Sequence, residues 1–249
     1  MKNILQINNL SKSYVNKEGI ILALKDINLS IIEGEFLSIV GSSGCGKSSI
    51  LNILAGLEKS YEGEINYKKD DIKIGYMLQE DALFDWLTVL ENALLGLRIQ
   101  NQLDDNSKNY VIDLLEKYGL KEFIHKYPKS LSGGMRQRVA LIRTLAIKPD
   151  ILLMDEPFSA LDYQTRLCVS DDVYNIIKNE KTTVIMVTHD LAEAISMSDR
   201  VVVLTKRPGK IKNIYKIDLT GKSTPIENRK AKEFGKYYEM LWKDLDKHV

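Results

Sequence analysis

The chain has 249 residues, 44% apolar and 28% charged, which is the composition of an ordinary globular protein with enough length to bury a sizeable core in one or two domains. Its 35 Lys+Arg against 34 Asp+Glu leave a formal net charge of +1, so no global field points to nucleic acid or to an acidic partner. No stretch approaches the ~18 consecutive apolar residues of a membrane span, and the start lacks the long apolar region of a secretion signal, so a membrane role is expected to come through a partner. The two cysteines, Cys45 and Cys168, make no disulfide framework and suit a reducing cytosol.

In chain order, Ile4–Leu10 and Ala23–Ser30 carry apolar residues on alternate positions, which predicts antiparallel strands with one buried face. Asn16–Gly19 reads as the loop between them. Tyr14, just before that loop, has two readings: a ring on which adenine stacks, or a half-buried strand tyrosine. Glu35–Val40 is a buried strand, and Ser49–Ala55 a helix closed by Gly56.

Between these lies Gly41-Ser42-Ser43-Gly44-Cys45-Gly46-Lys47-Ser48, which fits G-x-x-x-x-G-K-[ST] at every fixed position. Its glycines let the backbone curl so that successive N–H groups face phosphate oxygens, and the helix starting near Lys47 adds the positive end of its dipole. A nucleoside triphosphate is the expected ligand, with Lys47 reaching the outer phosphates and Ser48 offering a hydroxyl to Mg²⁺, which takes few protein oxygens. Cys45, at a helix start, is either a reactive thiol or a small residue filling the loop.

Tyr61–Ile65 is a turn into a strand, and Ile72–Leu78 a short strand ending at Gln79, whose neutral amide can bind a metal or a water without adding charge. From Ala82 to Leu97 the apolar spacing is helical, with Phe84, Trp86 and Leu87 early; this cluster is a docking surface or core filling. Residues 104–128 read as two helices, the first ended by Gly119 and the second by Pro128. Leu131-Ser132-Gly133-Gly134-Met135-Arg136-Gln137-Arg138 then leads into the helix Val139–Ala146, and Ser-Gly-Gly at a helix start is a second anion site or simply an N-cap.

Ile151–Met154 is a strand buried on both faces that runs into Asp155-Glu156, placing two carboxylates where open α/β sheets bind ligands. Their side chains are expected on opposite sides. Asp155 is suited to holding Mg²⁺ directly or through water. Glu156 can take a proton from the water that attacks the γ-phosphate. Pro157–Asp162 is a turn, followed by a helix to about Lys178. Thr182–Val187 is another buried strand, ending at Thr188-His189-Asp190, from which His189 can donate a hydrogen bond to the γ-phosphate. A helix Leu191–Met197, a strand Arg200–Leu204 and a turn Arg207-Pro208-Gly209 follow. Asn228–Lys247 has apolar residues at helical spacing and is expected to pack as an amphipathic helix on its own domain. Basic and acidic residues interleave beyond Lys206, a solvated surface rather than a nucleic-acid groove.

With these motifs in this order the chain resembles the ATP-binding-cassette (ABC) ATPases over about residues 4–208. Ser43–Lys47, Asp85–Asn92, Leu131–Arg138 and Asp155–Asp162 look most like ATPase subunits of nitrate/sulfonate/taurine-type importers. The resemblance implies an α/β fold, a P-loop NTPase with a mixed core sheet, an antiparallel β subdomain and an inserted helical signature subdomain. The chain would be a single ATP-binding domain over 1–249, with the signature subdomain at 82–147 and a C-terminal extension carrying an amphipathic helix at 210–249. The span Ile65–Leu78 is shorter than usual, so a strand or hairpin there is expected to be trimmed.

The resemblance also implies a head-to-tail homodimer with ATP between subunits. Tyr14 and Gly41 to Ser49 of one chain would act with Ser132, Gly133 and Gly134 of the other. Mg²⁺ would be held by Ser48, Gln79 and Asp155; Lys47, Gln79, Glu156 and His189 would carry the catalysis, with Gln79 linking metal and water to integral membrane permease subunits. A helix of the permease would sit by Phe84–Leu87, a solute-binding protein would act through the permease, and the chain would lie on the cytoplasmic face of the membrane. The rival reading, a soluble ABC ATPase working on DNA or ribosomes, calls for a long coiled-coil insertion or two cassettes in one chain. A regulatory subunit without turnover is disfavoured because Glu156 and His189 are both present.

Overall fold

A computed structural model describes residues 2–17 and 19–246, so Glu18 of the predicted loop and Lys247 of the predicted last helix lie outside the described residues. The chain divides into two compact units. Unit 1 is Met1–Ile72, Leu153–Glu156 and Thr183–Val249; unit 2 is Lys73–Leu152 and Pro157–Thr182.

Unit 1 holds two sheets. In the first, β1 (Asn3–Asn16) lies between β2 (Gly19–Ile32) and β4 (Glu62–Tyr67), antiparallel to both, with Ile7 opposite Leu29 on one side and Ile65 on the other. Leu5 and Ile7 of β1, and Ile27, Leu29 and Ile31 of β2, are buried at the strand period of two, whereas Leu10 and Leu24 fall three positions from Ile7 and Ile27 across irregularities at Asn9 (φ 50°) and Asp26 (φ 51°). The second is a mixed sheet. β3 (Phe36–Val40), buried at every position, runs parallel to β7 (Thr183–Thr188) and to β8 (Arg200–Leu204), and β9 (Ile211–Lys216) pairs antiparallel on the outer side of β8. The end of β6 (Ile151–Asp155) lies on the other side of β7. Strands apolar on both faces need cover on both faces, which is why β3, β7 and β8 read as continuous apolar runs.

Helix α1 (Lys47–Leu54) follows β3, and α6 (Leu191–Met197) follows β7 with Asp190 as its cap. The helix expected from Asn228 begins only at Phe234, as α8 (Phe234–Asp246), after a separate single turn, α7 (Pro225–Asn228). The break has a cause. Asn228 is buried, and its amide donates to Ser196 O (2.7 Å) and accepts from Ser223 N (2.7 Å), which fixes the chain in a turn there. Leu241 of α8 is fully buried beside Ile217, Leu219 and Ile195, with Phe234 and Leu245 against the same cluster, so this helix packs on its own unit as its pattern requires. Strand β9 was not legible in the sequence.

In unit 2, β5 (Ile74–Met77) lies beside the start of β6, and Asp150 N and Ile151 N both donate to Lys73 O. The helical pattern from Ala82 yields α2 only over Val89–Ile99. Three local features delay it. Ala82 has φ 47°, the buried Asn92 side chain bonds Phe84 N, Phe84 O and Leu87 O, and Thr88 with Glu91 forms a reciprocal capping box. Helix α3 (Asp105–Lys117) ends at Gly119, φ 76°, and the second expected helix is reduced to single 3₁₀ turns at Lys121–Phe123 and Pro128–Ser130. Ser132 caps α4 (Gly133–Leu145), which packs on α5 (Tyr163–Glu180), capped in turn by Asp162.

Candidate functional site

The link from β3 to α1 is built by glycine geometry. Gly44 and Gly46 have φ 73° and 104°, a region that costs any other residue conformational strain. A Cβ on Gly46 would stand 2.5 Å from Leu24 Cδ2 and 3.1 Å from Ala23 O, so glycine is required for space as well as for backbone. Helix α1 has no side-chain cap and no acidic residue in its first turn, whereas α2 to α6 each carry a side-chain cap. Uncapped N–H groups and the helix dipole leave that end suited to an anion.

Lys47, only 6% exposed, folds its ammonium back onto the loop, donating to Gly41 O (2.9 Å) and Ser42 O (3.3 Å). Its charge therefore sits within the loop. Cys45 is buried, and burial pushes its thiol up despite the pull of Lys47 and nearby N–H groups, so of its two readings the inert filler fits. The Tyr14 hydroxyl donates to Ser49 Oγ (3.0 Å), and Lys12 Nζ lies 4.6 Å above the Tyr14 ring, which leaves the tyrosine exposed at the mouth rather than in the core. Tyr14, Ser43, Gly44, Gly46 to Ser49 and Glu156 line one cleft of ≈ 370 Å³.

The strand end supplies the carboxylates. Ser48 Oγ donates to Asp155 Oδ1 at 3.2 Å. Asp155 is the last residue of β6, but Glu156 is outside the strand, with φ 44° and its N–H donated to Val187 O (2.8 Å), so strand alternation does not set its direction. Instead its Oε2 lies 2.9 Å from His189 Nδ1. Among the described residues no three His, Cys, Asp or Glu form a metal cluster. The paired oxygens of Ser48 and Asp155 beside a phosphate loop fit Mg²⁺, which takes one or two protein oxygens and fills its shell with phosphate and water.

The remaining residues singled out in the sequence lie in unit 2. Gln79 Nε2 donates to Ser159 Oγ (3.3 Å). Ser132 Oγ accepts from Met135 N (3.3 Å), and a Cβ on Gly134 would stand 2.6 Å from Val169 Cγ2, which keeps this turn of α4 tight on α5. Phe84 and Trp86 are exposed, Trp86 by 72%, with ring centroids 4.8 Å apart, so they are not core filling.

Two features escaped the sequence reading. Arg136 makes a bidentate pair with Asp81 (2.7 and 2.9 Å), and Arg143 donates to Ala82 O and Asp81 O, an assembly whose members are about sixty positions apart in the chain. Arg207 joins the cleft lining and donates from Nε to Gly44 O (3.2 Å). No spacing rule marks either.

A glycine loop between a buried parallel strand and a helix, with carboxylates at the end of the next strand but one in the same sheet, defines a P-loop nucleotide-binding protein. The model of the ABC transporter family matches residues 24–159, and the chain belongs to that family; it is an ABC ATPase. The chain is 42% identical to the aliphatic sulfonates import ATP-binding protein SsuB of Bacillus cereus, over 84% of each chain. It is 40% identical to the nitrate import ATP-binding protein NrtD of Synechocystis, over 95% of this chain and 93% of that one. Among solved structures, the dimeric post-hydrolysis state of the ATP-binding cassette MJ0796 bound to ADP and Pi matches with TM-score 0.72 and 34% identity, over 86% of this chain and 99% of that one.

Proposed function

We propose that this chain is the ATP-hydrolysing subunit of an ABC importer for small solutes of the nitrate, sulfonate or taurine kind. Two copies face each other head to tail on the cytoplasmic side of the membrane, bound to integral permease subunits that receive solute from a binding protein. The relatives named for sulfonate and nitrate import, and the dimeric solved cassette, support this reading. No helix among the described residues is long and apolar enough to cross a membrane, so contact with the permease would be peripheral. Residues 82–147 serve as the helical signature subdomain of a single ATP-binding domain over 1–249, and 210–249 as a C-terminal extension.

The observation that carries the nucleotide site is the single cleft lined by Tyr14, the phosphate loop and Glu156. In it Tyr14 stacks adenine, and the loop N–H groups and Lys47 neutralise phosphate charge; Ser48, Asp155 and Gln79 are the residues that would offer oxygens to Mg²⁺. When bound, Mg²⁺ would supply positive charge to offset what develops on the phosphate oxygens. Glu156 accepts the proton of the attacking water, and His189 holds Glu156 and donates to the γ-phosphate. Ser132, Gly133 and Gly134 of the second copy complete the site. Exposed Phe84 and Trp86 meet the permease.

The test is affinity capture of the tagged chain from detergent-solubilised membranes of its native cell, followed by reconstitution in liposomes. Integral membrane proteins are expected to co-purify, and ATP-dependent uptake of nitrate or of an alkanesulfonate to follow. Capture with ribosomes or DNA in place of membrane proteins would overturn the transport reading.

A further inference from the structure

Arg207-Pro208-Gly209 reads in the sequence only as a turn, but the structure gives that turn a fixed place. Gly209 N donates to Ala23 O (2.8 Å) and Gly209 O accepts from Lys25 N (3.0 Å), which lays it against β2. Thr205 Oγ1 ties its base together, donating toward Lys206 O and Pro208 O (each 3.0 Å) and accepting from Lys210 N (3.0 Å). On its other side the turn touches the phosphate loop so closely that a Cβ on Gly209 would stand 2.1 Å from Cys45 O. The stem of Arg207 is thus held between β2 and the loop, and its side chain lines the same cleft as Tyr14, Lys47 and Glu156.

The guanidinium is tethered there by its Nε bond to Gly44 O, 3.2 Å, and one Nη lies 3.0 Å from the place of a Gly44 Cβ. Among the described residues no carboxylate pairs with it. A guanidinium with one donor committed and its planar fork facing a phosphate-binding loop is matched in shape and charge to a phosphate oxygen pair.

We propose that Arg207 is a nucleotide-binding residue of this cleft, a second fixed cation beside Lys47 that contacts the polyphosphate of ATP. The proposal rests on the cleft being the ATP site. Because Arg207 is exposed, its contribution is modest and falls with salt.

The experiment is equilibrium ATP binding by the purified full chain, comparing R207Q, R207K and K47A with the parent at low and high ionic strength. R207Q is expected to bind ATP about fivefold more weakly at low salt, with the gap closing as screening grows, and R207K to fall between R207Q and the parent, since an ammonium keeps the charge but not the planar fork. Each ligand-free Arg207 variant should melt within about 3 °C of the parent, as an exposed substitution does, which separates lost charge from a lost loop. If R207Q binds like the parent while K47A loses ATP, Arg207 is no part of the site and the cleft reading stands. If the R207Q deficit is the same at low and high salt, charge is not what acts and the proposal falls. If K47A binds like the parent, the cleft reading itself is wrong.

Discussion

Glu156 Oε2 and His189 Nδ1 stand 2.9 Å apart at the ends of neighbouring strands β6 and β7. The relationship is set by backbone rather than by side-chain length. Glu156 occupies the left-handed region at φ 44° and is pinned through its N–H to Val187 O, two residues before His189. A non-glycine residue held at positive φ stores strain of about 1–3 kcal/mol, and a site that needs a carboxylate in one place is where such strain is found. The carboxylate side chain is 21% exposed and the imidazole 56%, so both reach water.

Replacing Glu156 by Gln keeps this shape and removes the base. Turnover in a phosphate-release assay is expected to fall by about 10²–10⁴-fold, the range of a lost general base. ATP affinity should stay within about threefold, since the group acts mainly in the transition state. Size exclusion with ATP should show an accumulating dimer. Parental hydrolysis by E156Q would remove Glu156 from the base role.

Gly46→Ala tests the loop. The added Cβ meets Leu24 Cδ2 at 2.5 Å and Ala23 O at 3.1 Å in a backbone at φ 104°. The backbone term alone is about 1–3 kcal/mol, and relief requires the loop to move off β2. ATP binding should disappear by calorimetry while the urea midpoint drops. A variant that binds ATP normally would show that the loop tolerates a second geometry.

The phosphate loop was legible because its chemistry fixes residue types at fixed spacing, and the antiparallel strands because a half-buried sheet writes period two into stretches such as Ile27–Ile31. Other features depend on tertiary partners. Nothing near Glu156 in the chain announces its positive φ, which Val187 holds from another strand. The helical pattern of 82–97 is real, yet Asn92 and the Thr88–Glu91 box postpone the helix by seven residues, from 82 to 89. Asp81 and Arg136 look like ordinary solvated charges until the fold pairs them.

Ser132→Arg puts a long cation at the capped start of α4, where Ser132 Oγ accepts from Met135 N. If that turn serves the ATP of a second copy, S132R binds ATP but does not hydrolyse it cooperatively. Two-fold symmetry sharpens the test, because each copy contributes both halves once. A dimer of S132R with K47A keeps one site with an intact loop and an intact signature. Mixing the two inactive variants should therefore restore up to about a quarter of parental turnover, half the dimers being mixed with one working site each. No recovery would dismiss the shared site.

The Asp81–Arg136 pair predicts a pH-dependent contribution to stability. Burial pushes the Asp81 carboxyl up, but the Arg136 guanidinium and the Leu83 N–H outweigh it and hold the group below its ordinary value. A carboxylate whose folded pKa lies below its unfolded value, about 3.9, adds stability above that pH and loses it as pH falls through the folded value. Asp81→Asn removes the charge but leaves Arg136 partly buried without its bidentate partner, at an expected cost of about 1–2 kcal/mol at pH 7. Urea unfolding should show that difference intact from neutral pH down to about pH 5 and shrinking at lower pH as the parent's own carboxylate protonates. A gap that stays constant down to pH 3 would mean that the asparagine acts through packing, and that the ion pair adds nothing to the fold.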